Sequence, residues 1–345
     1  MTTFDPNGTG QSDSGIFALP FTPENSELIV IPVPWDVTTS YGKGTSRGPE
    51  SILASSKQLD LCHPHFGDFY KRGIFMETPS QEWLQTNARL GLMAKDIQAQ
   101  RERGAALSEE QEKNLEEINK ASMELNQWLE SRAAEVLTDG KVPVAVGGDH
   151  SSPYGLIKTL KAKHSDLSIL HIDAHCDLRF SYQGFQHSHA SIMRNVMEDL
   201  EPSHLVQIGI RDYCPEEKDF SKAHGKITTH FDAECQLRLH QGETWQRLCQ
   251  EFLRPLSKTV YISFDVDGLT PDLCPGTGTP VPGGLNFPQV QTLLRTIKES
   301  GLNVVGFDLC EVSPDPKKLD GWDGNVGARL LYMLCGIVLE TSQSL

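Results

Sequence analysis

Asp173, His175 and Asp177 stand two residues apart at the end of Leu167-Ser-Ile-Leu-His-Ile-Asp-Ala-His-Cys-Asp177, a stretch whose first half is mostly apolar. Side chains alternate along a strand, so residues at i, i+2 and i+4 share a face and meet at the strand's carboxyl end. Two carboxylates and an imidazole there require compensation, and a divalent cation supplies it. A second run, 258–264, ends in Asp265-Val-Asp267 with the same spacing, and a third, 142–148, empties into Asp149-His150-Ser151. One D-x-H-x-D alone has an ordinary alternative, a polar strand end turned to solvent. Three buried strands that all end in Asp or His make that alternative hard to sustain. Asp173, Asp177, Asp265 and Asp267 carry more negative charge than one zinc needs and balance two divalent cations. A water bridging such a pair is acidified enough to be hydroxide near neutral pH.

Strands and helices must bring these groups together. Strands are expected at 27–34, 73–76, 142–148, 167–175, 204–211, 258–267 and 303–312. Helices are expected from Pro49, within 81–136, and at 152–164, 189–199, 236–254, 287–300 and 325–340. Ser108 and Gln111 form a capping box ahead of Leu115, Ile118, Leu125, Trp128, Leu129 and Val136, which keep one helix face. Strand alternating with helix demands a parallel sheet, and right-handed crossovers place helices on both faces. The fold class is therefore α/β, a three-layer α/β/α sandwich with a mainly parallel sheet. In such sheets ligands gather beyond the carboxyl ends of the strands. Residues 27–345 read as one domain. Residues 1–26, rich in Thr, Ser, Gly, Asn and Pro without periodicity, read as a flexible N-terminal arm. The glycine-rich loop 40–49 fits no phosphate-loop spacing and is expected at the pocket rim.

Composition narrows the partners. A net charge of -15 argues against nucleic acid and anionic membrane, and weakly favours small cationic ligands. The 8 cysteines are scattered with no C-x-x-C pair, which reads as reduced, buried thiols. With no leader pattern and no apolar run of about 18 residues, the expected location is the cytoplasm.

Five motifs then resemble one family. Gly-Gly-Asp-His-Ser at 147–151, Asp-Ala-His-Cys-Asp at 173–177, Ser-Phe-Asp-Val-Asp-Gly-Leu at 263–269, Gly-Thr-Gly-Thr-Pro at 276–280 and Asp-Leu-Cys-Glu-Val at 308–312 are similar to those of the ureohydrolases, arginase and agmatinase among them. The resemblance runs from about residue 27 to the C-terminus. It implies an eight-stranded parallel sheet, two Mn2+ (with two Ni2+ as the alternative) and a trimer or hexamer. By position, one cation would take His150, Asp173, Asp177 and Asp265, and the other Asp173, His175, Asp265 and Asp267. The resemblance also makes Asp177 a proton relay, Glu311 the clamp on the guanidinium N–H groups, Thr279 a neighbour of the guanidinium and His189 the proton shuttle, with His187 as a competitor. The ordinary alternatives are an ion pair between Glu311 and Arg329, and a capping or packing role for His189.

Substrate choice turns on Arg179. Arginases carry Asn at this place to hold an amino-acid head group, so arginine is disfavoured, and the segment 177–190 looks most like an agmatinase-type branch, which acts on agmatine. Arg179 itself attracts a carboxylate and repels an ammonium. Guanidino acids and formiminoglutamate therefore stay open, as does free guanidine in a small pocket walled by Tyr182 and Phe185, and so does a structural pairing of Arg179 with an acidic neighbour. A two-metal phosphatase would need Gly-Asp-x-His-Gly and Asn-His-Glu, which are absent from the sequence. Amide deacetylases use one zinc with fewer acidic ligands. A non-catalytic relative would be expected to lack a ligand, the histidine or the glutamate, and none is missing.

Overall fold

Apolar residues fill consecutive rather than alternate positions in most of the strands, the pattern of a sheet covered on both faces. In the computed structural model of the chain, which describes residues 4–8, 10 and 14–342, the strands are β1 (Leu28–Val33), β2 (Ile74–Met76), β3 (Val142–Gly147), β4 (Ser168–Ile172), β5 (Leu205–Ile210), β6 (Ile227–Phe231), β7 (Thr259–Asp265) and β8 (Asn303–Cys310). Among the described residues they form one eight-stranded sheet in the order β2-β1-β3-β8-β7-β4-β5-β6. Every pairing is parallel.

The helices are α1 (Gly48–Ser56), α2 (Gln81–Glu102), α3 (Glu109–Thr138), α4 (Tyr154–Lys163), α5 (Ile192–Asn195), α6 (Pro215–Ala223), α7 (Asp232–His240), α8 (Trp245–Leu253), α9 (Phe287–Ser300) and α10 (Trp322–Thr341). Strand parity sorts side chains between two cores. Leu28 and Val30 of β1 join α1, α8, α9 and α10 on one side, while Ile29, Ile31 and Val33 join α2, α3, α4 and α5 on the other. This is the three-layer α/β/α sandwich that alternation of strand and helix demands. Each fully buried Leu or Ile in these cores contributes about 1.5–3 kcal/mol, so the two layers hold the strand ends rigidly. The capping box is present: Ser108 Oγ accepts from Gln111 N at 3.2 Å, and Gln111 Oε1 accepts from Ser108 N at 3.0 Å.

Some boundaries differ from the sequence reading, each for a local reason. The helix expected over 236–254 is two, α7 and α8, because Gly242 with φ +94° turns the chain between them. The segment 189–199 is a 3-10 turn, the short α5 and a π turn rather than one α-helix. β6 and α6 were not expected; β6, Ile-Thr-Thr-His-Phe, is a half-buried edge strand without a continuous apolar run. Within the stretch read as an arm, Ile16, Phe17 and Leu19 are buried in the core beside α10, with the Phe17 and Tyr332 rings 4.9 Å apart. Residues 1–3, 9 and 11–13 of that stretch lie outside the described residues.

Cys62 is exposed, Cys214 half-buried and the other six cysteines buried, all as free thiols. Among the described residues no helix is long and apolar enough to cross a membrane. Close backbone packing supports the turn after β3. A Cβ on Gly148 would lie 1.9 Å from the carbonyl oxygen of Trp35, which itself accepts from Asp149 N. Gly148→Ala is expected to destabilise the fold by about 3–5 kcal/mol. The check is the chemical denaturation midpoint, and an unchanged midpoint would show that this turn adjusts freely.

Candidate metal centre and active site

The carboxyl ends of β3, β8, β7 and β4, four neighbours in the middle of the sheet, deliver the charged groups to one place. His150 follows β3, Asp173–Asp177 follow β4, Asp265 closes β7 with Asp267 just beyond, and Glu311 follows β8. His150 Nδ1 lies 2.9 Å from Asp173 Oδ2, 3.0 Å from Asp177 Oδ2 and 3.4 Å from Asp265 Oδ2. His175 Nδ1 lies 3.0 Å from Asp267 Oδ2 and 3.4 Å from Asp173 Oδ1. Asp173 thus presents one oxygen to each histidine, and two groups of donors meet at its carboxylate. Asp177 and Glu311 have φ of +53° and +65°. These left-handed positions are strained for residues with a Cβ and cluster at functional sites.

The donor set fits cations, and hydrogen bonding at His150 shows why. Ser263 Oγ donates to Asp308 Oδ2 at 2.8 Å, so it accepts from His150 Nε2, 2.9 Å away. In the neutral ring Nδ1 then carries a lone pair, facing three carboxylate oxygens that only accept. Such a convergence of acceptors repels itself until a proton or a cation sits among them. Among the described residues no lysine or arginine forms an ion pair with the carboxylates of Asp173, Asp177, Asp265, Asp267 or Glu311; the aspartates pair with histidines instead. His150, His171, Asp173 and Asp177 form one potential cation-holding group and Asp173, His175 and Asp267 another. The result is a buried His/Asp cluster of the kind a binuclear metal site uses.

Proton affinities follow from this crowding. Burial, then the neighbouring Asp267 and Asp173, raise Asp265 well above the usual carboxylate range, and burial with the charge of Asp173 raises Asp177 to about 6. Burial works against ionisation of Asp173 too, but His171, His150 and His175 outweigh it and hold this group well below the usual value. His150 and His175 rise well above 6.5 because the aspartates outweigh their burial. Glu311 is raised by burial and by Asp149 and Asp267. Its Oε1 accepts from His150 N at 3.0 Å, while Oε2 is buried, has no hydrogen-bond partner and lies against Gly278. Arg329 pairs with Asn325 instead of Glu311.

A cavity of about 150 Å³ opens onto the cluster, lined by Ser40, His175, Asp177, Arg179, Tyr182, His189, Asp212, Tyr213, Glu217 and Thr279 among others. His189 is held by Thr38, whose Oγ1 accepts from His189 N at 3.1 Å and donates to Asp149 Oδ2 at 2.8 Å. Burial, with His175 and Lys43 nearby, lowers His189 to about 3, so its ring is neutral at ordinary pH. Thr279 Oγ1 donates to Asp267 Oδ2 at 3.3 Å. The glycine-rich loop forms part of the rim, with Ser40 in the lining, Gly42 N donating to Gly278 O, and Lys43 Nζ donating to the carbonyls of Asp36 and Val37.

Two expected residues are elsewhere. His187 does not line this cavity; its ring packs 5.5 Å from that of Tyr154 and its Nδ1 is 3.3 Å from Asn195 Nδ2, because the turn at Ser188 sends it to the far side of His189. Phe185 is fully buried in the core beneath α2–α5 and walls nothing, whereas Tyr182 does line the cavity. Arg179 has an acidic neighbour: its Nε is 3.7 Å from Glu217 Oε2 and its guanidinium lies 4.9 Å from the Tyr182 ring centre. Sequence reasoning overlooked His171, whose Nε2 is 2.9 Å from Asp173 Oδ2. The available signal was a fourth polar residue, at i−2 from Asp173, on the face that carries Asp173, His175 and Asp177.

Comparison with known proteins agrees with this geometry. Residues 26–336 match the arginase family, and the chain belongs to it. It is 33% identical over 293 residues to an N(1)-aminopropylagmatine ureohydrolase of Thermus thermophilus, covering 85% of this chain and 84% of that one. It is 33% identical over 316 residues to a guanidinobutyrase of Pseudomonas aeruginosa, covering 88% and 84%. The agmatine ureohydrolase structure of Thermoplasma volcanium superposes with a TM-score of 0.70 at 24% identity, covering 93% and 92%, and shares the fold. The protein is a ureohydrolase of the agmatinase-like branch, hydrolysing C–N bonds of linear guanidino compounds.

Proposed function

We propose that the substrate is agmatine, cleaved to putrescine and urea at a centre holding two Mn2+. The observation that carries this reading is the convergence of His150, Asp173, His175, Asp177, Asp265 and Asp267 beneath a cavity whose rim offers an exposed carboxylate. Asp212 lines that cavity with its side chain 69% exposed, and its nearest charged neighbour is His175 Nε2 at 3.9 Å. Arg179, the group that would favour an acidic tail, is turned toward Glu217 and Tyr182. An ammonium at the end of a short chain is therefore better received than a carboxylate.

His150, Asp173, Asp177 and Asp265 would hold one cation, and Asp173, His175, Asp265 and Asp267 the other. When bound, the pair supplies Lewis acidity and lowers the pKa of water toward neutrality. The chain's own groups do the rest. Glu311 Oε2, buried and without a partner, accepts from the guanidinium N–H groups, and the arriving positive charge favours its ionised form. Asp177 accepts the proton of the attacking water as the C–O bond forms at the guanidinium carbon. His189, neutral and lining the cavity, relays a proton to the departing amine as the C–N bond breaks. Thr279 fixes Asp267 beside the substrate. A homo-oligomer, trimeric or hexameric, and a cytoplasmic location belong to the same proposal.

Urea release from agmatine, guanidine, guanidinobutyrate and guanidinopropionate by manganese- or nickel-loaded protein tests the assignment, with formamide release from formiminoglutamate as the contrasting arm. Agmatine is expected to have the highest kcat/KM, and Arg179→Ala to change tail preference by about tenfold or less with little change in kcat. Silence on all four guanidines with formamide produced instead would redirect the assignment. Equal loss on every substrate in Arg179→Ala would make Arg179 structural.

A further inference from the structure

One register line crosses the middle of the sheet bearing five polar side chains. Asp308 on β8 is paired with Ser263 on β7, Ser263 with His171 on β4, His171 with Gln207 on β5, and Gln207 with Thr229 on β6. The first four are fully buried. A polar row inside a sheet is costly unless its members are satisfied; here Ser263 bonds to Asp308, His171 to Gln207 and Gln207 to Thr229, and His150 and Asp173 bridge Ser263 to His171.

Its directions can be read from the ends inward. Gln207 Nε2 donates to the carbonyl of Cys176 at 2.7 Å and to His171 Nδ1 at 3.0 Å, while Gln207 Oε1 accepts from Thr229 Oγ1 at 2.9 Å. A carbonyl can only accept, so Cys176 fixes which end of the amide faces His171. His171 Nδ1 is then an acceptor, and the single N–H of the neutral ring is on Nε2, 2.9 Å from Asp173 Oδ2. The other oxygen of that carboxylate accepts from His175 N at 2.5 Å. Both oxygens of the group shared by the two cation-holding sets are therefore oriented by an N–H donor.

By distance alone His171 is a candidate ligand, since its Nε2 belongs to the group with His150, Asp173 and Asp177. Ligation would need the lone pair on Nε2 and the proton on Nδ1, pointing N–H against the N–H of Gln207. We propose that His171 is a positioning residue and not a ligand: it donates to Asp173, its tautomer set by Gln207, which Thr229 and the Cys176 carbonyl hold in turn. This rests on the cation centre proposed above and adds what orients it.

Calorimetric titration of Mn2+ into the metal-free full-length protein tests this without any substrate, so its outcome is separate from that of the urea assays. His171→Gln places an amide N–H near the original Nε2 and keeps the donor. His171→Leu removes it, and Gln207→Glu offers His171 Nδ1 only acceptors, which draws a proton onto that nitrogen without taking the one on Nε2. The expected result is Mn2+ affinity roughly 10–100-fold weaker in His171→Leu but within about threefold of the unmodified protein in His171→Gln. Long-range 1H–15N spectra of histidine-labelled protein should show His171 Nδ1 unprotonated in the unmodified chain and protonated in Gln207→Glu. If His171→Leu does not fold, His171→Phe, closer in shape and also without a donor, takes its place in the comparison. His171→Gln weakened as far as His171→Leu would make the imidazole a ligand, and a His171 Nδ1 found protonated in the unmodified chain would remove the tautomer set by Gln207; either overturns the proposal. Failure of the unmodified protein to take up Mn2+ would overturn both it and the centre.

Discussion

Asp173→Asn is expected to lower kcat by roughly 10³-fold or more on any guanidino substrate the protein turns over, and to leave fewer than two cations per chain by elemental analysis. Asp173 is the carboxylate on which both donor groups depend: Oδ2 is 2.9 Å from His150 Nδ1 and Oδ1 is 3.4 Å from His175 Nδ1. An asparagine removes one of the charges that balance the cations. It also turns an NH2 toward one of two positions where a cation belongs, replacing attraction with repulsion. The side chain is nearly the same size and 1% exposed in the original, so the fold should survive and the loss should be specific to the centre. A variant that kept both cations and turned over within about tenfold of the original would remove Asp173 from the centre.

Metal removal should reverse the pH dependence of stability above pH 6.5. His150 and His175 have folded-state proton affinities raised well above 6.5, and Asp265 and Glu311 are raised by burial. A group raised on folding contributes stability that is complete below its unfolded pKa and lost as pH climbs through its folded one. Asp177, raised to about 6, has given up its share by neutrality. His189 is lowered to about 3, so its contribution grows between 3 and 6.5 and is constant above. From 6.5 upward the raised groups of the cluster pull stability down, and the metal-free protein should lose on the order of 5 °C in Tm by pH 8.5. Saturating Mn2+ takes the place of those protons and should raise Tm at pH 8.5 by on the order of 10 °C. Calorimetric scans at four pH values decide it: a metal-free Tm that rises through this window, or one indifferent to Mn2+, contradicts the cluster's assignment.

What the sequence disclosed and what it hid divide along a physical line. Asp173, His175, Asp177, Asp265 and Asp267 announce themselves because strand parity is a local rule, and an apolar run ending in spaced carboxylates violates the ordinary composition of a core. The alternation of runs yields the parallel sheet for the same reason. The row from Asp308 to Thr229 was invisible because each member is one polar residue on a different strand, and only the pairing register lines them up. β6 escaped because its edge position leaves it without a continuous apolar run, and His187 was mistaken for a neighbour of the site because the turn between it and His189 cannot be read from spacing.

Strand order has a consequence for how the enzyme comes to exist. β3 and β4, which present His150 and the Asp173–Asp177 group, are not adjacent; β8 and β7, which come after both in the chain, lie between them. A nascent chain that has emerged only as far as β6 holds two strand groups with a gap where the centre belongs. Completing the site therefore waits on β7 and β8, which wedge into the sheet's midline between strands that precede them in the chain.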